Sequence, residues 1–535
     1  MHGSDTDVSA SPRRWWILVI LCLNLVLVVA ANSSVNVALP TMVAELNASQ
    51  TQLQWIVDAY AIVFAGLLLP MGAIADRFGR KGTMQTGLVI YGLAALAAST
   101  ANDATTVIAA RAVMGVGAAA VMPSTLSILT NVFPPHERQR AISIWAGFAG
   151  AGAAIGPVAS GWLLTHYWWG SVFLISTVIA AGALVIGFLI VPTSKDPEAT
   201  PLDPVAGLLS TLGFATLLYG IIEGPERGWT DPLTIVSFAC AAVGLVTFVL
   251  WERRRANPML DMGFFSNPRF SVGASVIAFT FLSMFGMLFL LTQYLQFVKS
   301  YSPLEAGVAM LPMALTLVIV APRSAPAIVR WGQRRVIGFG LLTVCAGLAI
   351  LGVFISPDLN YWIVAACLVL VAAGVGMTTA PSTGLIMSSL PLRKAGVGSA
   401  VNDTTREVGG AVGVAVLGSI VGVLYRTGLG DAAAALPAQA LDAARRSVGG
   451  ALGVAAAMQG RMPEEAAALA ASARKAFTDG LALALVIGAA VAAVAAAVVW
   501  HFLRGVDFGS HGHGEPLPAA AEAEAVAPTD RVTEA

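Results

Sequence analysis

Apolar runs long enough to cross a bilayer alternate along the chain with short polar turns that hold Gly, Pro or clustered basic residues. A helix needs about 20 mostly apolar residues to span the hydrocarbon core. Fourteen stretches meet that demand: 15–43, 50–74, 81–99, 104–132, 138–165, 170–191, 204–223, 232–251, 270–297, 303–329, 336–355, 361–390, 395–425 and 475–502. An even number of crossings puts both termini on one side. No small-residue cleavage site follows the first stretch, which is therefore predicted as a retained helix and not a removed signal. Residues 427–474 form a long Ala-rich segment whose Glu, Gln and Met content suits a helix lying on the outer face. The residues after Asp507 are rich in Pro, Ala and Glu and are predicted to be disordered.

Charge placement gives these crossings a direction. Arg13 and Arg14, Arg77 with Arg80 and Lys81, Arg138 and Arg140, Lys195, Arg253 to Arg255 with Arg269, Arg330 with Arg334 and Arg335, Arg393 and Lys394, and Arg504 all fall on one side. Short turns of the other side hold Arg227 and Lys299. Short cytoplasmic loops collect Lys and Arg, so both termini are expected in the cytoplasm and the bundle in the plasma or inner membrane. Composition agrees: 57% of the 535 residues are hydrophobic and 11% charged, against about 25% charged in a soluble domain. Lys plus Arg and Asp plus Glu balance at 30 each, so nothing calls for a nucleic acid partner.

Internal repetition divides the crossings. Gly115-Val-Gly117 followed by Pro123-Ser-Thr in the fourth stretch is echoed by Gly374-Val-Gly376 followed by Pro381-Ser-Thr in the twelfth. Arg77-Phe-Gly79-Arg80-Lys81 is echoed by Arg330-Trp-Gly332-Gln-Arg334-Arg335. The register pairs stretches one to six with nine to fourteen and leaves seven and eight as an inserted hairpin. The expectation is an all-α polytopic membrane protein of six, two and six helices. Its parts are a cytoplasmic tail at 1–14, a six-helix bundle at 15–192, the inserted pair at 193–255, a second bundle at 256–504 that includes the outer loop 427–474, and a disordered cytoplasmic tail at 505–535.

Several motifs resemble one family. Gly72-Ala-Ile-Ala-Asp76-Arg77-Phe-Gly79-Arg80-Lys81 strongly resembles the signature loop of the major facilitator superfamily, and it lies between the second and third helices as that loop does. Gly72 permits close packing, Asp76 can cap or pair with a neighbouring helix end, and the basic residues stay at the cytoplasmic surface; such contacts can hold one conformation closed and release it in the other. A basic loop that only sets topology is the plainer reading. Asn36-Val-Ala-Leu-Pro40, Gln54-Trp55-Ile-Val-Asp58-Ala-Tyr60, and Gly152-x-x-x-Gly156-Pro157-x-x-x-Gly161 look like the fourteen-helix drug/proton antiporter branch. The last is similar to the antiporter motif of exporters, although small residues at that spacing also serve ordinary helix packing. The resemblance implies a major facilitator fold with 14 transmembrane helices and proton-coupled export of hydrophobic or cationic drugs and toxic compounds by alternating access.

One departure matters. Relatives commonly carry an Asp in the first helix where this chain has Ala31, so another residue must serve coupling or the substrate is less cationic. Ionisable residues within the membrane are costly and few. Asp58 is a candidate proton-coupling carboxylate, or else an acid wetted from outside. Arg111 resembles the family's buried arginine; it stays charged and either modulates a nearby carboxylate or is fixed in an ion pair or on helix carbonyls. Asp403 and Glu407 share a helix face, with Arg406 close enough to pair with Asp403; they form either a proton or cation site or a neutralised helix end. Asn32, Asn36, Tyr60, Trp145, Phe148, Phe281, Phe285, Tyr294 and Asn402 are candidates for the substrate cavity.

No GxxxxGK[ST] phosphate loop is present, so transport must draw on a gradient or run downhill. The six histidines lie in loops, tails or helix ends, and the four cysteines lack CxxC spacing; neither a metal site, a cofactor nor an enzyme is expected. Protons, a small-molecule substrate and the lipid bilayer are the partners implied, with a monomer sufficient. The competing readings are a dedicated exporter of one metabolite, lipid or peptide, and a non-transporting sensor.

Overall fold

The computed structural model of the chain describes residues 13–46, 50–195, 203–255, 258–430 and 436–504. Of the tails expected at 1–14 and 505–535, residues 1–12 and 505–535 lie outside the described residues, as does the Asn36 side chain, while Arg14 already opens α1. Among the described residues the chain is helical: α1 (Arg14–Leu46), α2 (Gln50–Phe78), α3 (Arg80–Ser99), α4 (Ala104–Val132), α5 (Pro135–His166), α6 (Ser171–Ile190), α7 (Pro204–Arg227), α8 (Pro232–Arg254), α9 (Pro268–Gln293), α10 (Pro303–Ala309), α11 (Leu311–Val320), α12 (Ser324–Trp331), α13 (Gln333–Phe354), α14 (Tyr361–Ser388), α15 (Ala395–Gly428), α16 (Ala438–Arg446), α17 (Val448–Met458) and α18 (Pro463–Phe502). Thirteen spans are long and apolar enough to cross a membrane. The fourteenth is α3, 20 residues long, whose polar first turns at Arg80, Lys81 and Thr83 dilute its hydropathy while its remainder packs between α4 and α6.

Local chemistry sets many helix ends. Asp103 caps α4 by accepting from the Thr106 N–H at 2.9 Å, which satisfies a donor that the first turn leaves orphaned. Ser302 and Glu305 form a reciprocal capping box at the start of α10. Gly79 and Gly332 take φ of 115° and 79°, a region closed to most side chains, and there α2 turns into α3 and α12 into α13.

The tenth crossing departs from the single helix expected. It is broken into α10, α11, a 3-10 turn at Ala321–Arg323, and α12. Pro312, Pro322 and Pro326 lie along it, and each removes a backbone donor and crowds the carbonyl one turn back. The last crossing also differs: α18 begins at Pro463, twelve residues before the expected start at 475. The Ala-rich segment therefore contributes two short helices, α16 and α17, and the first turns of α18. The Tyr425 hydroxyl at the end of α15 donates to the carbonyls of Ala444 at 2.8 Å and Ser447 at 3.1 Å, tying α16 and α17 down.

Buried apolar side chains form two clusters. One draws on α1 to α6 with Ala380, Met387 and Ala395; the other draws on the second set of six with Leu69, Ala206 and Phe248. Helices in lipid gain nothing from hiding apolar surface from one another and instead rely on close packing, which glycine permits. A Cβ on Gly117 would lie 2.7 Å from the Gly87 carbonyl oxygen, joining α3 to α4, and Gly374 meets Gly340 in the same way between α13 and α14.

The loop repeat holds in register. Lys81 donates to the Phe188 carbonyl at 2.8 Å, and Arg334 donates to the Trp500 carbonyl at 2.8 Å; each cation meets the carbonyl end of the last helix in its half, where positive charge is favoured. The Gly-x-Gly repeat is shifted by contrast. Gly115 faces α2, 2.8 Å from the Tyr60 oxygen by its would-be Cβ, whereas in the second half the later glycine, Gly376, faces the tenth crossing at Ala321. Residues two apart on a helix point in nearly opposite directions, so the pair serves its two neighbours in either order.

The inserted pair is anchored on one side. α7 lies along α2 and also touches α15, while α8 packs on α7. Asp203 caps α7 through the Val205 and Ala206 N–H groups and accepts from Trp251 Nε1 at 2.8 Å and Arg255 Nε at 3.0 Å.

Candidate functional site

The two halves meet most tightly where α2 runs past the start of α15. Gly72 and Gly396 face one another there without side chains between them. Asp76, a turn further on, is buried at 5% exposure. Its Oδ1 accepts from Arg80 Nη2 at 2.7 Å, from Arg80 Nε at 2.9 Å and from the Gly396 N–H at 3.0 Å. Its Oδ2 accepts from the Val397 N–H at 3.1 Å. The carboxylate of one half thus caps the positive N-terminus of a helix in the other, a favoured place for an anion. Arg80 adds a bond to the Leu392 carbonyl at 2.9 Å. Arg77 lies with its guanidinium 5.6 Å from the Phe78 ring, and Lys81 binds within its own half. Gln139 donates to the Ala380 carbonyl at 3.1 Å, and the Ser143 and Ser324 hydroxyls lie 3.0 Å apart; both contacts cross between halves at the same basic end.

α5 forms the second seam. Gly152 packs on Val26 and Val29 of α1, and Gly156 on Ala30 and Ser33, while Gly161 meets Leu304 and Pro157 meets Gly307 on the tenth crossing. Ser160 donates to the Ser34 carbonyl at 2.9 Å. α15 has the same relation to α9, with Gly409 and Gly413 against Ala278 and Leu282; sequence reading missed that pair, although its four-residue spacing was the available signal.

Between the seams sits a buried ionic cluster. Arg111 is fully buried; its Nε donates to the Ile56 carbonyl at 2.8 Å, its Nη2 donates to Asn32 Oδ1 at 3.1 Å, and its guanidinium lies 4.3 Å from the Tyr60 ring centre. Asn32, next to Ala31, so supplies a neutral oxygen to the guanidinium. Asp58, 9% exposed on the same helix as Tyr60, is close enough for its charge to act on Arg111, and Glu407 for its charge to act on Tyr60. Glu407 belongs to α15, which packs against both α2 and α4.

The second half contributes Arg406, whose Nη1 is 3.6 Å from Asp403 Oδ1 and whose guanidinium lies 4.7 Å from the Phe281 ring and 6.0 Å from that of Trp145 on α5. Asn402 Nδ2 donates to Asp403 Oδ1 at 3.1 Å and Asn402 Oδ1 accepts from the Thr383 hydroxyl at 2.9 Å. Phe285 stacks edge-on against Phe281 at 5.4 Å. The structure therefore gathers Asn32, Asp58 and Tyr60 around Arg111 in the first half and Asn402, Asp403 and Arg406 together in the second, with Glu407 linking the two through Tyr60 and with Trp145 and Phe281 beside Arg406. Phe148 stands exposed. Tyr294 stands apart: it is fully buried in a π-turn after α9, and its hydroxyl donates to the Ser356 carbonyl at 2.7 Å.

Residues 21–414 match the family model of the Major Facilitator Superfamily. The chain is 36% identical over 503 residues to the multidrug efflux pump LfrA of Mycolicibacterium smegmatis, covering 93% of this chain and 98% of that one. It is 31% identical over 516 residues to the tetracenomycin C resistance and export protein of Streptomyces glaucescens, covering 93% and 94%. Among solved structures, the proton:xylose symporter XylE bound to 6-bromo-6-deoxy-D-glucose superposes with a TM-score of 0.60 at 12% identity, over 92% of this chain and 96% of that one, a likeness of fold alone. With two repeated sets of six helices, an inserted pair and the signature loop set at the seam between halves, the chain belongs to the major facilitator superfamily as a fourteen-helix member.

Proposed function

We propose that this protein is a proton-coupled secondary exporter, an antiporter that moves hydrophobic or cationic drugs and toxic compounds out of the cytoplasm by alternating access, and that it is not an enzyme. The buried cluster of Asp58, Arg111, Asp403, Arg406 and Glu407 carries the reading. Ionisable groups are costly inside a membrane and persist there for a task, and these lie where the two halves face each other. The multidrug efflux and single-compound resistance relatives support export as the direction. A membrane potential is worth about 2.3 kcal/mol per charge per 100 mV, so inward passage of one proton against outward passage of a neutral molecule can concentrate the solute outside.

In this scheme Asp58, Asp403 and Glu407 exchange protons and Arg111 holds their field. Gly72, Asp76, Arg77, Gly79, Arg80 and Lys81 gate one end, Gly152, Gly156, Pro157 and Gly161 form the bearing on which the halves rock, and the bundles at 15–192 and 256–504 are the moving bodies, with 193–255 inserted. Arg14 pairs with Glu137 and Arg334 with the Trp500 carbonyl, so both ends of the described chain lie at the basic end, which we assign to the cytoplasm of a plasma or inner membrane. A monomer contains every named group.

Purified protein in proteoliposomes tests the proposal: an acid exterior should drive uptake or release of substrate with matched proton movement, and no substrate-dependent proton flux across a panel of organic cations and neutral drugs overturns it. The dedicated-exporter reading is favoured by relatives named for one compound, such as the tetracenomycin C protein. Competition within the same panel separates the two: one inhibitor class points to a dedicated substrate, several unrelated classes to a broad one.

A further inference from the structure

The repeated Pro-Ser-Thr segments do matching work in the two halves. In α4 the Thr125 hydroxyl accepts from Trp145 Nε1 of α5 at 3.3 Å while donating to the Met122 carbonyl at 2.8 Å. In α14 the Thr383 hydroxyl donates to Asn402 Oδ1 of α15 at 2.9 Å. Trp145 and Asn402 occupy equivalent places on equivalent helices, each one helix beyond its threonine. Their loads differ: the first threonine steadies an indole, the second an amide that serves the buried carboxylate of Asp403. Both loads converge on one guanidinium, that of Arg406, with Trp145 at 6.0 Å and Asp403 at 3.6 Å.

We infer that Thr383 is a positioning residue for the proton-carrying Asp403, acting through Asn402, and this rests on reading Asp403 as part of the coupling cluster. A primary amide has one acceptor end and one donor end. Because the Thr383 hydroxyl engages the acceptor end, the donor end is turned to Asp403 Oδ1 and held there. Thr383, Asn402 and Asp403 are 0%, 0% and 1% exposed, so no bulk water substitutes for a missing link. How firmly Asp403 holds a proton therefore depends on a hydroxyl on the neighbouring helix, and any shift of α14 against α15 within the second half is transmitted to that proton.

The other groups facing Asp403 are accounted for. Arg406 and Glu407 lie on its own helix, Tyr60 of α2 is near enough to Glu407 to feel its charge, and Asp58 and Arg111 lie with Tyr60 on α2 and α4, which pack on α15; α7, which also touches α15, carries Tyr219, Glu223 and Arg227 in its last turns. α14 and the part of α9 beyond Arg269 carry no acid or base among their side chains apart from Tyr361 and Cys367 on α14; α9 sets the Phe281 ring against Arg406, and α14 reaches Asp403 through Thr383 and Asn402. The α18 stretch from Gly480 to Trp500 is likewise without charge.

Infrared pH-difference spectra of the purified full-length protein in lipid test this without needing a substrate. The carboxylic acid C=O band that Asp403→Asn removes reports protonation of Asp403. Thr383→Val, nearly equal in volume, should displace the midpoint of that band by about half a pH unit or more, the size expected for losing one neutral hydrogen bond in the chain. Thr383→Ser should restore it, and Thr125→Val should leave it in place. If Thr383→Val does not fold, Asn402→Ala breaks the same chain from the other side and should displace the band alike. An unchanged midpoint in Thr383→Val and Asn402→Ala, an equal displacement in Thr125→Val, or no titrating band that depends on Asp403 between about pH 4 and pH 9 overturns the inference. Ethidium-driven proton flux in proteoliposomes is the separate arm: its absence in the unsubstituted protein counts against the export reading while the infrared result stands by itself.

Discussion

Gly72 of α2 and Gly396 of α15 meet backbone to backbone, so that a Cβ on the first would lie 2.6 Å from the carbonyl oxygen of the second and a Cβ on the second 2.5 Å from the oxygen of the first. Neither helix can yield without breaking the Asp76 bonds to Gly396 and Val397 beside it. Gly72→Val should therefore push the basic end open and abolish export at normal expression. A cysteine at Ser399, fully buried in the closed arrangement, reports it: labelling by an impermeant maleimide from that side should rise at least tenfold. Asp76→Ala, which takes the carboxylate partner from the buried Arg80, should do the same through a loss of about 3–5 kcal/mol. Unchanged labelling in both variants would remove the seam from the gate.

Arg111 is held by two acceptors set in different directions, the Ile56 carbonyl and Asn32 Oδ1, and by the face of Tyr60. Lysine keeps the charge but lacks the planar fork. Arg111→Lys is expected to lower substrate-driven proton flux at least tenfold, and Asn32→Ala to lower it less. Full transport by Arg111→Lys would show that charge alone suffices.

Asp403 and Glu407 share a helix face, with Arg406 3.6 Å from Asp403, and Asp58 belongs to the other half, near Arg111. If they carry the proton, Asp403→Asn with Glu407→Gln should leave downhill substrate movement intact while abolishing uphill export driven by an imposed pH gradient. Asp58→Asn should produce the same split. Counterflow and gradient-driven transport measured on the same proteoliposomes distinguish loss of coupling from loss of binding.

Asp203 lies at the mouth of α7, outside the membrane-spanning stretch. Burial pushes its carboxyl up, but the Trp251 indole, the Ala206 N–H, Arg255 and the Val205 N–H together hold it below the usual carboxylate range. A depressed value means that the stabilisation is present above the unfolded value of about 3.9 and is lost as pH falls below it through the folded value. Amide exchange in the first turn of α7 should be insensitive to pH from about 7 to 5 once the intrinsic rate is corrected for, and should lose protection below about 4. Asp203→Asn should flatten that acid limb.

Much of the bundle was readable because bilayer thickness imposes one length on every crossing. α4 was bounded correctly at both ends, since Asp103 caps its start and Pro134 and Pro135 follow its end. The last crossing begins earlier than expected because residues 463–474, expected as part of an Ala-rich helix separate from the crossing, continue without a break into it, and α17 packs on the resulting helix. The breaks at Met310 and Ala321 were signalled by prolines, yet an uninterrupted apolar run outweighed them.

The site was legible as residue types and not as partners. Asp76 was expected to reach a neighbouring helix end, but nothing in its vicinity in sequence points to Gly396, 320 positions away. Arg111 gave no hint of Asn32, and Thr383 looked like one more small residue after a proline. Tyr294, chosen for its polarizable ring, is occupied in holding a turn. Such pairings depend on how helices cross, which periodicity within one helix does not encode.

α7 rests on α2 and also reaches α15, whereas the other seam, between α5 and the tenth crossing, has no inserted helix laid over it among the described residues. A greasy molecule dissolved in the leaflet thus encounters two unlike flanks: one shuttered by an added wall, the other open to the acyl chains. Traffic from the bilayer would be one-sided, and the fourteen-helix design would differ from a twelve-helix one less in its engine than in how many doors it leaves to the lipid.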